Sequence, residues 1–256
     1  MASAILHGAV RKANTAPSLL AATDLRATAA SALASELGIR AFSSNLEACE
    51  WAEVIVLAVK PQVLSGLLTE IRPKITPEKL VVSIAAGASL ERLRDGLGGH
   101  GRIIRAMPNA PALVGASATA IAASPGSSED DIRVARTLFA SVGTVDSISE
   151  HLMDAVTGLS GSGPGYALMV IEAMADAGVQ AGLSRDAALS LSAQAVLGAA
   201  RLVQETGRHP AVLRDMVTSP AGTTIAGVCA LERHGLRHAL QEAVAAAVER
   251  SKELGR

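Results

Sequence analysis

The sequence predicts an α/β domain with a parallel sheet, followed by an all-helical domain. Three observations lead to this fold class. Short apolar runs alternate with helical segments through the first half of the chain, as strands and crossover helices do in parallel sheets. No strand pattern follows residue 149, where helical periodicity takes over. A chain of 256 residues is also long enough to bury a core in each of two domains.

The elements of the first half follow from apolar runs and from glycine and proline breaks. Gly38 ends one helix and Pro61 begins another. In chain order the predicted elements are helix 1–11, strand 17–22, helix 27–37, helix 45–51, strand 54–59, helix 61–71, strand 80–84, helix 90–97 and strand 103–106. Helices between the strands cover both faces of such a sheet, which is typical of a doubly wound, Rossmann-like dinucleotide-binding domain.

Ligands of a doubly wound sheet bind at its carboxyl edge, where the strands end. The residues that follow the strands in this chain are 23–26, 58–61, 85–87 and 107–109. Asp24 and Arg26 bear on the choice of nucleotide, because a carboxylate here binds the ribose hydroxyls of NAD whereas an arginine accepts the 2′-phosphate of NADP. Both are present, so the residues alone leave that choice open.

The boundary between the two halves is expected near residue 147. One more β-like run lies at 116–122 and a helix follows at 129–141. Residues 145–149 are the predicted hinge, which gives a dinucleotide-binding domain at 1–146 and a helical domain at 147–256.

The second half is predicted to be entirely helical. Its helices are expected at 149–158, 165–180, 184–205, 210–218, 224–234 and 236–254. Segments such as 167–171 and 196–200 are apolar around most of the helix. Because an isolated small bundle does not need so much apolar surface, we expect a large subunit interface and an obligate homodimer, with further assembly of dimers left open.

Two turns carry residues that can bind an anionic substrate. The string from Ser219 to Thr224 interrupts one helical run and opens the next, and the string from Gly158 to Tyr166 does the same upstream. Such a turn collects unpaired backbone N–H groups, hydroxyls and the positive end of a helix dipole, which together suit a carboxylate. The alternative interpretation of either string alone is an ordinary capping turn.

Taken in order along the chain, these strings resemble motifs of pyrroline-5-carboxylate reductase, the enzyme that makes proline. Residues 213–227 follow that family's signature L-x-D-M-V-T-S-P-A-G-T-T-I-A-G. The segments A-V-K-P at 58–61, A-A-G at 85–87 and M-P-N-x-P at 107–111 match in the same order. The alternatives that stay open are another imine or hydroxyacid reductase of the same two-domain plan, and a truncated, non-catalytic dimeric paralogue.

The resemblance implies an oxidoreductase that transfers hydride from NADPH, with NADH as the alternative, to the C=N bond of 1-pyrroline-5-carboxylate, giving L-proline. Together with the strand-end positions it gives the cofactor-binding set Ala2, Asp24, Arg26, Asn45, Ala58, Val59, Lys60, Pro61, Ala85, Ala86, Gly87 and Asn109. It implies the substrate-binding set Ser160, Gly161, Ser162, Gly163, Gly222, Thr223 and Thr224. Thr224 and Lys60 are the expected catalytic residues; whether the Thr224 hydroxyl gives the ring nitrogen a proton or only a hydrogen bond stays open.

The chain departs from the family pattern at its beginning. A domain of this type starts with a strand and a G-x-G-x-x-G/A turn that binds the pyrophosphate, whereas here the match begins at Met1, with Ala2 at the third small position. Either the start has been assigned too late or the chain is a truncated paralogue. The first is favoured because the rest of the chain keeps the pattern. If these residues are the whole protein, we expect weak dinucleotide binding and lower domain stability.

Composition argues against several other functions. Aromatic residues make up 2% of the chain and the net charge is −1, which leaves little to stack on or attract a nucleic acid. His234 and His238 have no third ligand nearby, and Cys49 and Cys229 are isolated, so neither a metal site nor a disulfide is expected. No apolar run approaches the ~20 residues that span a membrane, and no signal peptide is evident. We therefore expect a cytoplasmic protein.

Overall fold

The computed structural model describes residues 1–255 and separates them into two compact units. The first contains Met1–Gly161 together with the described residues from Ala246 onward, and the second contains Ser162–Ala245. We call them the α/β unit and the helical unit. The domain division at residues 146 and 147 rests on sequence pattern rather than compactness, and it stays a prediction.

The α/β unit contains short strands connected mostly by helices. Its strands are β1 (Ala21–Ala22), β2 (Arg40–Ala41), β3 (Val54–Leu57), β4 (Leu80–Ser83), β5 (Ile103–Met107), β6 (Ser117–Ala123) and β7 (Gly143–Ser147). Its helices are α1 (Ala2–Arg11), α2 (Ala27–Leu37), α3 (Asn45–Trp51), α4 (Pro61–Ile71), α5 (Leu90–Gly96), α6 (Glu129–Ala140) and α7 (Met153–Val156). Short 3-10 turns lie at Pro17–Leu19, Arg72–Lys74, Ala110–Val114 and Glu150–Leu152, and a π turn at Thr157–Gly161.

The strands form two sheets rather than one. β1 pairs in parallel with β2, and a separate five-stranded sheet has the order β3-β4-β5-β6-β7. Neighbours in the larger sheet are parallel except β5 and β6, which are antiparallel. The expectation of a parallel sheet is therefore wrong at this pair. The connection at 108–116 carries only a 3-10 turn, and it is too short for the crossover that a parallel return needs.

The core lies on both faces of the larger sheet. On one face, Leu64, Leu68 and Ile71 of α4 and Leu93 of α5 form a fully buried cluster with the strands. Their spacing along α4 places them on one stripe of the helix. On the other face, Phe139 of α6 packs with strand residues and with α1. Helices on both faces confirm the predicted doubly wound, Rossmann-like architecture.

Two local predictions in the α/β unit are wrong. The strand expected at 17–22 begins instead with the 3-10 turn Pro17–Leu19, and only Ala21 and Ala22 pair. Proline at the first helical position favours the turn, since its fixed φ fits a helical start. The hinge expected at 145–149 coincides in part with β7, because Val145 packs on the cluster around Phe139.

The edge of the α/β unit carries a small aromatic cluster. Phe42 and Trp51 lie with ring centroids 5.8 Å apart, and the Arg40 guanidinium lies 5.4 Å from the Trp51 ring. Trp51 is the single tryptophan of the chain. Cation–π contact of this kind stabilises a short edge strand such as β2.

The helical unit is formed by α8 (Gly163–Gln180), α9 (Arg185–Thr206), α10 (Pro210–Met216), α11 (Thr223–Arg233) and the first part of α12 (Leu236–Leu254). α8 and α9 approach closely, since a Cβ added to Gly178 would lie 3.0 Å from the Ala188 Cβ. Ser184 caps α9 through the Ala187 N–H, and Gly207 ends it in the left-handed conformation. This confirms the all-helical second half.

The helical unit leaves most of its large apolar side chains exposed. Within it only Ala175, Ala188, Ser192 and Leu213 are buried. The exposed side chains include Leu168, Met169, Leu189, Leu191 and Leu197, along α8 and α9. Apolar patches of this extent mark interaction surfaces in proteins. None of the described helices is long and apolar enough to cross a membrane.

Candidate active site

The predicted cofactor segments meet at one edge of the larger sheet. β3, β4 and β5 run parallel, with Leu57 opposite Ser83 and Ser83 opposite Arg105. Their carboxyl ends therefore lie side by side, which brings 58–61, 85–87 and 107–109 to the same edge. This is where doubly wound sheets bind nucleotides.

The segment after β3 leaves a lysine free at this edge. Lys60 occupies the N-cap position of α4 and Pro61 begins the helix. The Lys60 ammonium is exposed and has no hydrogen-bond or ion-pair partner among residues 1–255. Ala58 is exposed and Val59 half-buried, so the backbone here is open to a ligand.

The turn after β4 is fixed from two sides. The Ala85 N–H donates to the buried Ser83 hydroxyl at 3.3 Å. Gly87 has φ of +72°, and a Cβ on it would lie 3.3 Å from the Leu254 carbonyl at the end of α12. A side chain there would be both strained and crowded, so Ala85, Ala86 and Gly87 form a rigid turn whose middle residue, Ala86, is exposed.

The start of α5 is held by a carboxylate that the sequence did not single out. Glu150 accepts the Leu90 N–H at 2.6 Å and lies 3.3 Å from the Arg105 guanidinium. An acidic side chain satisfies a first-turn N–H and interacts favourably with the helix dipole. It comes from a residue sixty positions along the chain, and no local pattern marks it.

The predicted nucleotide-selecting residues lie together after β1. The Asp24 carboxylate accepts the Arg26 N–H at 2.8 Å, and the Arg26 Nε lies 3.8 Å away from the same oxygen. The Arg26 side chain is 81% exposed. This leaves a cation beside a carboxylate that is already partly satisfied.

Asn45 is engaged by neighbouring side chains. Its Oδ1 accepts from the Thr23 hydroxyl at 3.1 Å, and its Nδ2 donates to both carboxylate oxygens of Glu70 at 3.2 Å. Asn45 therefore ties the loop after β1 to α4. Its predicted contact with the cofactor stays a prediction.

Ala2 is the first residue of α1, a helix whose N-terminus has no side-chain cap. The free N–H groups of such a turn suit a phosphate. α1 is attached to α2 by His7, whose Nε2 lies 2.7 Å from a Glu36 oxygen and whose Nδ1 lies 2.8 Å from the Ser3 carbonyl. The Glu36 carboxylate and that carbonyl raise the pKa of His7, and His7 in turn lowers the pKa of Glu36.

The first glycine-serine turn lies in two parts. Ser160 and Gly161 end the π turn of the α/β unit, where the Ser160 hydroxyl donates to the Val156 carbonyl at 3.2 Å. Ser162 is the N-cap of α8 in the helical unit, and a Cβ on Gly163 would meet nothing within 4 Å. π turns occur often at functional sites, and this one overlaps the glycine-serine turn that the sequence predicted from Gly158 onward.

The second turn presents uncapped donors at the start of α11. Gly222 is the N-cap of α11 without a side-chain cap bond, and its N–H donates to the Ser219 carbonyl at 3.0 Å. Thr223 and Thr224 follow, exposed, with no side-chain hydrogen bond among the described residues. Ala221 has φ of +55°, an uncommon conformation for a non-glycine residue. Strain of this kind clusters at ligand-binding turns.

Comparison with known proteins identifies the relatives of the chain. It is 46% identical to a pyrroline-5-carboxylate reductase of Methanosarcina acetivorans over 256 residues, covering 100% of this chain and 95% of that protein. It is 41% identical to the enzyme of that name from Escherichia coli, again over 100% and 95%. The chain belongs to the pyrroline-5-carboxylate reductase family.

Family models and solved structures agree with this membership. A model described as pyrroline-5-carboxylate reductase dimerisation matches residues 150–254, and one described as coenzyme F420-dependent NADP oxidoreductase matches residues 1–87. A pyrroline-5-carboxylate reductase structure from Coxiella burnetii gives a TM-score of 0.95 at 34% identity, over 100% of this chain and 95% of that one. The Plasmodium falciparum enzyme with NADP bound gives 0.87 at 31%, over 99% and 94%.

Proposed function

We propose that this chain reduces 1-pyrroline-5-carboxylate to L-proline with NADPH. The observation that carries the proposal is the turn at Ser219–Thr224. There, uncapped N–H groups and two exposed hydroxyls lie at the start of α11, the positive end of its helix dipole. A carboxylate on a small ring needs such a site. Family membership supports the same activity.

The substrate carboxylate is held at the N-terminus of α11. The N–H groups of Thr223 and Thr224 are unpaired first-turn donors, and the adjacent hydroxyls add further donors. Gly222 lets the turn fold tightly, because a Cβ there would collide with the Ser219 hydroxyl. Ser160, Gly161, Ser162 and Gly163 complete the substrate-binding set.

The chemistry needs one hydride and one proton. Bound NADPH supplies the hydride to the imine carbon. The residues of the chain orient the imine and place a donor at its nitrogen. Thr224 is the proposed donor because its hydroxyl is exposed and uncommitted, and Lys60 supplies a cation at the carboxyl edge of the sheet.

The nucleotide lies along the carboxyl edge of the larger sheet. The turns 58–61 and 85–87 border the nicotinamide. Ala2 and Asn45 contact other parts of the dinucleotide. Arg26 takes the 2′-phosphate of NADP, because its guanidinium is exposed while one oxygen of Asp24 already accepts the Arg26 N–H. The preference for NADP over NAD follows from this arrangement.

The chain acts as a homodimer through its helical unit. Leu168, Met169, Glu172 and Leu189 line a groove of about 450 Å³ between α8 and α9. Such an apolar surface is unstable in water as a monomer, and an interface of standard size would cover it. The cytoplasmic location and the absence of nucleic-acid and membrane partners stay predictions.

A binding titration and a turnover assay together test the function. The 256-residue chain is titrated with NADPH by fluorescence, and turnover of the imine is followed by NADPH absorbance. Saturable binding with proline as product supports the proposal. If the chain binds NADPH and reduces a different imine or an oxoacid, but not 1-pyrroline-5-carboxylate, a related imine or hydroxyacid reductase is favoured. A folded dimer that binds no NADPH would favour the non-catalytic paralogue.

A further inference from the structure

A buried asparagine connects the sheet to the first glycine-serine turn. Asn109 follows β5 and is 7% exposed. Its Oδ1 accepts the Ala118 N–H at 3.0 Å, and its Nδ2 donates to the Ser160 carbonyl at 2.9 Å. The Asn109 N–H donates to the Ser117 hydroxyl at 3.2 Å. An N–H on one side and a carbonyl on the other fix which amide atom is oxygen and which is nitrogen.

The Ser160 carbonyl needs a donor from outside its own helix. In an α-helix it would accept the N–H of the residue four positions on, but that residue is Pro164, which has none. In a π turn it would accept from Gly165, whose N–H instead donates to the Ser162 carbonyl at 2.9 Å. Ser160 is half-buried, and a carbonyl shielded from water without a partner costs free energy, so the Asn109 amide supplies a bond that the local sequence cannot.

A second contact holds the same turn against the same loop. A Cβ added to Gly161 would lie 2.9 Å from the Met107 Cε, which shows how closely the turn packs on the end of β5. Met107 in turn packs on the cluster of Ala120, Ala122 and Met153. The turn is therefore fixed by one hydrogen bond and one apolar contact, both from 107–109.

We propose that Asn109 is a positioning residue for imine binding, acting through the Ser160 carbonyl on the turn that contains Ser160 and Gly161. This inference rests on the proposed function, in which that turn belongs to the substrate site. The Asn109 Nδ2 donates one of its hydrogens to Ser160, its backbone N–H donates to Ser117, and the residue is 7% exposed, so little of it is open to a ligand. This role replaces the direct cofactor contact that the family resemblance implies for Asn109. Its effect on the reaction passes through the turn.

Three variants test the proposal. Asn109→Ala removes the donor and should raise KM for the imine about tenfold, the effect of one lost hydrogen bond, while the NADPH Kd and the oligomeric state stay as in the wild type. Asn109→Asp keeps the shape of the side chain, but when the new carboxyl is ionised it has no hydrogen to donate to the Ser160 carbonyl. Its KM relative to the wild type should fall as the pH is lowered, because a protonated carboxyl can again donate to Ser160.

Thr119→Val is the matched control. Thr119 is also buried, and its hydroxyl bonds to Ser117 at 3.1 Å without touching Ser160. This variant should lose stability but keep the wild-type KM. A KM rise of the same size in Thr119→Val, or no pH recovery in Asn109→Asp, would overturn the positioning role. A higher NADPH Kd with unchanged imine KM in Asn109→Ala would make Asn109 a cofactor residue instead.

Hydrogen exchange separates this proposal from the proposed activity. Amides in the segment 157–163 should exchange faster in Asn109→Ala than in the wild type, and at the wild-type rate in Thr119→Val. If the wild-type chain failed to reduce the imine, the proposed function would fail while the exchange result still decided whether Asn109 holds the turn. Unchanged exchange in Asn109→Ala would refute that holding role directly.

Discussion

The hydroxyl groups of the two predicted substrate turns differ in whether they already make a hydrogen bond within the protein. Thr223 and Thr224 stand side by side at the start of α11, exposed and without side-chain hydrogen bonds among the described residues, and Thr224 is the one proposed to reach the ring nitrogen. The Ser160 hydroxyl, by contrast, is turned back on the Val156 carbonyl. Hydroxyl side chains of the two turns thus differ in whether they are free to bind a ligand.

Thr224→Ala should lower kcat/KM for the imine by about ten- to hundredfold, because it removes one hydrogen bond made to the reacting group. The dimer should persist, since Thr224 is exposed. Steady-state kinetics and light scattering measure both. Thr69→Ala, an exposed threonine of α4 that bonds only to the Ser65 carbonyl, is the control. Equal kinetics in the two variants would remove Thr224 from the site.

Gly87→Ala should lower the free energy of unfolding by about 1–2 kcal/mol, because alanine is strained at positive φ and the added carbon meets the Leu254 carbonyl. NADPH affinity should fall as the turn shifts. Gly66→Ala is the matched control: Gly66 lies within α4 with open space around it, so alanine should stabilise by about 0.5–1 kcal/mol. Urea unfolding compares the two. Equal stability changes would contradict the expected strain.

At the scale of elements, most helices and strands follow from the sequence because caps and breaks mark them. Ser128 caps α6 in a capping box with Asp131, and Gly38 ends α2 in the left-handed conformation. β2 was not predicted, because its two residues, Arg40 and Ala41, are too few and too polar to form an apolar run. The π geometry of Thr157–Gly161 was not predicted, because glycine and serine residues mark a turn there without specifying its type.

The same limit applies to the site. The rules of parallel sheets predict that segments at strand ends lie at one edge, and 58–61, 85–87 and 107–109 do lie there. Their contact with a cofactor stays a prediction. Glu150 and Ser117 were not predicted, since each acts by bonding a residue that is close only after folding. Sequence motifs mark residues that touch ligands more readily than residues that support them.

The pairing of α1 with α2 should depend on pH. Both His7 nitrogens face acceptors, so the imidazolium makes both bonds and the pKa of His7 is raised above its ordinary 6.5. Its contribution to stability is full below pH 6.5 and is lost as the pH rises through the higher folded pKa. Glu36, with a lowered pKa, loses its contribution only in acid, below its ordinary 4.5.

His7→Gln should therefore flatten the decline in unfolding free energy above pH 6.5, as measured by urea titrations at several pH values. His151→Gln makes the same change at an exposed histidine of the 3-10 turn Glu150–Leu152 and should leave the decline as it is. A wild-type decline that survived unchanged in His7→Gln would place its origin elsewhere.

At the scale of the whole molecule, the two units differ in how much of their apolar side-chain surface they shield from water. The α/β unit buries its large residues within one chain, including Phe139, Leu64 and Ile103. The helical unit buries few and exposes many. The sequence predicted this difference, because the segments 167–171 of α8 and 196–200 of α9 are apolar around most of the helix.

Leu168→Glu should shift the protein from dimer to monomer in light scattering, because a charge on α8 would have to be desolvated in the interface. Leu168 is 65% exposed. Leu19→Glu is the same substitution in the α/β unit at a residue 68% exposed, and it should leave the dimer intact. A dimer that resisted Leu168→Glu would move the interface away from this face of α8.

The position of Trp51 makes its emission a selective reporter. Because the only indole of the chain lies beside Phe42 and Arg40 in the α/β unit, tryptophan fluorescence registers the melting of that unit. It is excited at the red edge of the absorption, where Tyr166 of α8 does not absorb. Far-ultraviolet circular dichroism is dominated by helices, which both units contain. Denaturation curves from the two spectroscopies would coincide for a single cooperative transition and separate if the units melt independently.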